Sequence, residues 1–311
     1  MRVKRMFITN TIRKPRTDDF SPKKSSPSVS YRTAQTSGSH PITVRDLRFT
    51  REGSDKRWWL AGDPVASCWH LALSATFPRG EAFFIEAVKA HREGATPALA
   101  ADIRAFISQE VNHSREHLAF NRQAVTAGYD LTAIEARLTD FLEMTRGRPA
   151  ILNLAATIAL EHFTAMFAAD LLRHPELYQG AEPGPAALWR WHAIEEIEHK
   201  GVAYDTWRHA TRGWSRWQAW RVKSLMMLTI TWNFISHRMT DTLDLLAQDG
   251  LKGWRIKLAL LRYLFGKPGV LRRIAPAWAS YFLPGFHPWN HDDRGLIAPA
   301  EAEVYREAER D

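Results

Sequence analysis

The sequence predicts an all-α fold, and three observations carry the prediction. Apolar residues recur at steps of three and four through most of the chain after Pro64, the repeat of a helix that lays one face on a core. Strand-like alternation is confined to residues 42–57, where ITVRDLRFT reads as an extended lead-in. An apolar share of 45% over 311 residues suffices for a sizeable core, in one large domain with tails or in two.

The elements follow in order. Residues 1–40 are rich in Ser, Thr, Pro and Lys without periodicity and read as a disordered basic tail. Residues 41–212 read as a helical bundle. PVASCWHLALSATF is its first helix, and Pro78 either begins a second or kinks a longer one. Just beyond, Phe77, Glu81, Phe84 and Val88 share a face. Residues 96–128 form the helix around which the rest is organised: Thr96 caps it, Pro97 suits its first turn, and Gly128 suits a left-handed stop. Its inner stripe runs Leu99, Ile103, Phe106, Glu110, His113, His117, Phe120, Ala124.

A shorter helix over 131–145 precedes one over 151–174 that is apolar almost all round. Ile151, Leu154, Ile158, Glu161, Ala165, Ala168 and Leu172 form its deepest line. In the next helix, WHAIEEIEHKGVAYD, His192, Glu195 or Glu196, and His199 fall on one side. Of Glu195, Glu196 and Glu198, at least one is expected to face solvent. Residues 213–290 read as a basic, Trp-rich helical extension packed on the bundle; ten of the 13 Trp lie between Trp189 and Trp289, interleaved with Arg and Lys. Residues 291–311 are an acidic, helix-prone tail.

Carboxylates inside apolar stripes carry the chemistry. A buried carboxylate costs several kcal/mol unless something pairs with it, and beside imidazoles a metal ion is the usual partner. Four segments place one there: Glu81, then Glu110 with His113, then Glu161, then Glu196 with His199. The order is Glu, Glu-x-x-His, Glu, Glu-x-x-His, the pattern by which four helices hold two metal ions. Four carboxylates offset two divalent cations, and the imidazoles suit iron, with manganese or zinc as alternatives. His117 and His192 lie beyond this six-residue set, as added ligands, proton carriers or orienting groups.

At these residues FPRGEAFFIEAV, SQEVNHSREHLAFN, LEHFTA, WHAIEEIEHKGVAYD and YLFGKPGVLR resemble the bacterial family of predicted metal-dependent hydrolases, over roughly residues 42–292. The resemblance implies a metal enzyme. The ligand order separately resembles the ferritin-like di-iron carboxylate superfamily, which implies a ferritin-like four-helix bundle with a dinuclear centre plus additional C-terminal helices, and oxygen chemistry.

Two enzyme readings follow. In the first, a di-iron centre acts as an oxidase or oxygenase on a hydrophobic small molecule, served by an electron-donor protein. In the second, metal-activated water hydrolyses an ester or phosphate, with Glu195, His117 or His192 as the catalytic base. No Ser-His-Asp arrangement is visible.

A third reading is a non-enzymatic helical protein that binds membrane surfaces. The net charge of +8 is uneven: residues 1–40 carry +7 and residues 208–273 carry +10, which leaves an acidic centre. Basic residues among Trp fit a peripheral anionic membrane contact, on the inner face for a cytoplasmic chain, and a homodimer is a further expectation. Nothing resembles a nucleic-acid motif. The lone Cys68 excludes an internal disulfide and fits a reducing compartment. The most apolar run, SLMMLTITWNFIS, is too short to span a bilayer, and the first residues lack a secretory signal.

Overall fold

A two-stranded antiparallel hairpin precedes the helices: β1 (Tyr31–Ala34) pairs with β2 (Ile42–Arg45), with Tyr31 opposite Arg45. The computed structural model describes residues 31–34, 42–49 and 56–308. β1 corrects the reading of residues 1–40 as wholly unstructured: β2 offers a partner edge in the alternating lead-in, and strand pairing needs no apolar period of its own. The remainder of 1–40 lies outside the described residues.

Eleven α-helices follow among the described residues: α1 (Pro64–Ser74), α2 (Phe77–Lys89), α3 (Pro97–Thr126), α4 (Thr132–Thr145), α5 (Ala150–Arg173), α6 (Pro183–His199), α7 (Val202–Ala210), α8 (Arg216–Gln248), α9 (Trp254–Phe265), α10 (Val270–Ser280) and α11 (Ile297–Ala308). The fold is therefore mostly helical. Local chemistry sets the boundaries. Asp63 accepts from the Val65 and Ala66 amides at the start of α1, and Pro78 stands in the first turn of α2 rather than kinking a longer helix. Thr96 Oγ1 accepts from the Leu99 amide at the start of α3, and Gly128 stops the chain at φ +94°.

α5 is the central post, packed by α2, α6, α7, α8 and α10. It is long and apolar enough to cross a membrane by composition, but Leu154, Ala155, Ile158, Ala159 and Phe163 are buried in the core. Helix α2 packs along α3 and α5 along α6, and the two pairs meet through α2 against α5 and α3 against α6. The acidic tail docks as well: α11 lies on α6, where Glu301 accepts from Arg45 and Glu303 pairs with Arg190.

Candidate metal centre

Four helices turn carboxylates toward one another. Glu81 of α2, Glu110 and His113 of α3, Glu161 of α5, and Glu196 and His199 of α6 are each at most 3% exposed. His199 Nε2 lies 3.1 Å from Glu110, 3.4 Å from Glu196 and 3.5 Å from Glu161. His113 Nδ1 lies 3.8 Å from both Glu110 and Glu196. Ligating atoms of Glu110, His113 and Glu196 come within 4.8 Å of one another, as do those of Glu110, Glu161 and His199, and of Glu81, His113 and His192.

The donor chemistry fits cations. Glu81 Oε1, both oxygens of Glu110 and Glu161, Glu196 Oε2, His113 Nδ1 and His199 Nε2 are buried without a hydrogen-bond partner. Buried polar atoms are seldom left so, and here all six residues contribute. The outer nitrogens explain the inner ones. His113 Nε2 donates to Glu195 Oε2 at 3.1 Å, and His199 Nδ1 donates to Gln109 Oε1 at 2.9 Å. Each bond fixes a tautomer that aims the other nitrogen's lone pair at carboxylate oxygens. Lone pairs facing anions require something positive between them.

Burial and neighbouring charges shift all six groups. Burial pushes Glu81 and Glu161 well above the ordinary carboxylate range, and the neighbouring Glu110 pushes the same way. Burial also raises Glu110, although His113 and His199 oppose it. Glu196 is the exception: burial would raise it, but His199 and His192 hold it well below the usual range. Burial would lower His113, yet Glu110 and Glu195 raise it; for His199, Glu196 and Glu110 do the same.

The three candidate bases sit differently. Glu195 is fully buried behind His113, with its other oxygen accepting from the Arg45 amide. His192 lies between the centre and a cavity: Nε2 is 2.9 Å from Glu196 Oε1, and Nδ1 is 2.7 Å from His117 Nε2. His117 Nδ1 then meets Ser74 Oγ at 2.8 Å.

Glu195, Glu196 and Glu198 are all buried, which corrects the expectation that one would face solvent. The reason is Arg45, which β2 lays over the outside of α6. Its guanidinium donates to both Glu198 oxygens at 2.8 and 3.0 Å and lies 3.6 Å from Glu195. Arg45, Gln109 and Ser114 (2.8 Å from Glu81 Oε2) went unread in the sequence. Gln109 adjoins Glu110, so an uncharged polar residue just off the inner stripe was the available signal. The partnership of Arg45 with Glu198 spans 153 residues and has no local signature.

Two apolar cavities reach the centre. The larger, about 340 Å³, runs from His192 and Glu196 past Phe77, Trp69 and Phe167 to a rim that includes Asp63 and Gln179. The smaller, about 90 Å³, reaches Glu81 and Glu196 from the side of Phe84 and Leu142. Phe77, Thr164 and Phe234 border both.

No curated protein and no solved structure matches the chain. Residues 43–292, the span that holds all four helices of the carboxylate–histidine cluster, match the family described as predicted metal-dependent hydrolase. The chain belongs to that family.

Proposed function

We propose that the protein is a metal-dependent hydrolase in which Glu81, Glu110, His113, Glu161, Glu196 and His199 hold two divalent ions in a ferritin-like four-helix bundle. The observation that carries this reading is the set of unpaired buried oxygens and lone pairs at the inner end of the larger cavity. Bound there, divalent ions polarise an ester or phosphate group and make water acidic enough to attack it.

The chain's own residues do the rest. Glu196 borders both cavities, so the polar end of an incoming substrate meets the centre at that carboxylate. Phe77 and Phe234 wall off the same point and keep bulk water from it. The apolar lining and the volume, at the small end of the ~300–1,000 Å³ typical of ligand sites, favour a substrate with an apolar body such as an acyl ester. Glu195 is occupied by His113 and Arg45, so its part is to position His113, and of the three candidate bases His192 alone borders the larger cavity.

The four-carboxylate donor set supports a second reading, oxygen chemistry at two irons with an electron-donor protein, because this set is the one di-iron bundles use. Metal analysis of the purified protein decides between them, with absorption spectra before and after reduction and air exposure. Zinc or another redox-silent ion, with hydrolysis of acyl esters, supports the hydrolase. Two irons with a redox-sensitive spectrum and no ester turnover support the oxidase.

A further inference from the structure

Helix α9 is apolar on the side that faces solvent. Trp254, Leu258, Leu261 and Phe265 follow four-three-four steps along one stripe and are 69%, 55%, 43% and 47% exposed. The opposite side carries the buried Leu260 and Leu264, so the exposed stripe has no part in the core. Arg255 and Arg262 flank it on one edge and Lys257 on the other, and none of the three has a carboxylate partner among the described residues. On α8, Trp217, Leu225, Leu228 and Trp232 form a second exposed stripe, with Arg221 within it. Residues 250–291 contain seven Lys/Arg and no Asp or Glu.

We propose that the exposed apolar face of α9 docks the protein on an anionic lipid surface. The stripe supplies apolar side chains to sit among acyl chains, with Trp254 at its edge, and the flanking cations reach lipid phosphates through flexible stems. Charge decides against a second copy of this chain as the occupant. Two such faces would set cations against cations with no acidic residue to offset them, whereas an anionic leaflet attracts each one. Docking does not depend on the reaction at the metal centre.

The test is sedimentation of the full-length chain with vesicles of phosphatidylcholine, with and without phosphatidylglycerol. The wild type is compared with W254S/L258S/F265S and R255Q/K257Q/R262Q. All three carry the same basic N-terminal segment, and a high-salt arm screens what that segment adds. Wild type should partition onto anionic vesicles and retain part of that binding at high salt. The apolar variant should lose the salt-resistant part. The basic variant should lose roughly a hundredfold in affinity for anionic vesicles and little for neutral ones. Unchanged helicity and melting temperature in both variants tie the losses to the surface. An apolar variant that binds like the wild type overturns the proposal, as does a wild type that ignores anionic vesicles. A solution dimer split by the same apolar substitutions also overturns it, in favour of a second copy.

Discussion

Glu195 Oε2 lies 3.1 Å from His113 Nε2, on the opposite edge of the ring from Glu110 and Glu196. The bond makes His113 a donor outward and leaves its inner nitrogen free to accept a cation. Arg45 anchors Glu195 in turn through its amide and guanidinium. Partners of this kind typically cost 10–100-fold in metal affinity when removed. Glu195→Gln should therefore weaken metal binding by about that factor while keeping helicity, as read by chelator competition and circular dichroism. A variant that holds its metal as tightly as the wild type would refute the positioning role.

Glu161 gives the opposite sign in the metal-free protein. Both its oxygens are unpaired, and burial followed by the Glu110 charge raises its pKa well above the ordinary value. A carboxylate raised on folding favours the folded state at low pH and loses that contribution as pH rises through the folded value. Glu161→Leu should thus stabilise the metal-free protein at pH 8, by a few degrees in Tm, with the gain vanishing below about pH 4. The same substitution should abolish stabilisation by added metal. Loss of stability in the metal-free form at pH 8 would contradict this.

The inner side of this site was legible because helix periodicity is local. Glu81, Glu110, His113, Glu161, Glu196 and His199 interrupt apolar stripes at fixed steps, and a stripe faces a core whatever the topology. The outer side was not legible, because β2 crosses over α6 and its Arg45 finds Glu198 across 153 residues. Three glutamates within about one helical turn read as partly solvated when nothing nearby can neutralise them, and the neutralising Arg45 came from outside the helix. β1 was missed for a similar reason, since its pairing depends on β2 rather than on its own pattern.

His70 offers a pH test away from the centre. Its Nδ1 donates to the Ala66 carbonyl at 2.8 Å, so Nε2 accepts from the Tyr178 hydroxyl at 2.7 Å. Burial drives its pKa down to about 4, against Ala66 and Asp63, which pull upward. A histidine lowered on folding contributes stability above its unfolded value of about 6.5 and loses it as pH falls toward 4. Between pH 7 and 4.5 the wild type should lose roughly 2–3 kcal/mol through this group, to which His70→Gln is blind. Denaturant midpoints at the two pH values measure the difference. An equal acid loss in both proteins would refute it.

The hydrogen bonds running out from His192 fix what its inner nitrogen can hold. Asn121 Nδ2 donates to the Ser74 carbonyl at 3.0 Å, which turns its Oδ1 to accept from Ser74 Oγ at 2.7 Å. Having given away its proton, Ser74 Oγ accepts from His117 Nδ1. His117 Nε2 then carries a lone pair and accepts from His192 Nδ1. The last lone pair is on His192 Nε2, 2.9 Å from Glu196 Oε1. Burial, then the His113 charge, lowers His192 to about 4, and Glu196 is held well below the carboxylate range, so at neutral pH neither supplies the missing proton. A cation held there would satisfy both groups, and His192 would then be a ligand alongside Glu81 and His113, whose ligating atoms are within 4.8 Å of its own. His192→Gly should lower the affinity of one metal by more than the roughly 10–100-fold expected of an orienting group, and added imidazole should restore it. Ser74→Ala, which leaves the last lone pair in place, should change metal binding far less. Equal losses in the two variants, or no rescue by imidazole, would reduce His192 to an orienting role and leave six residues around the metals.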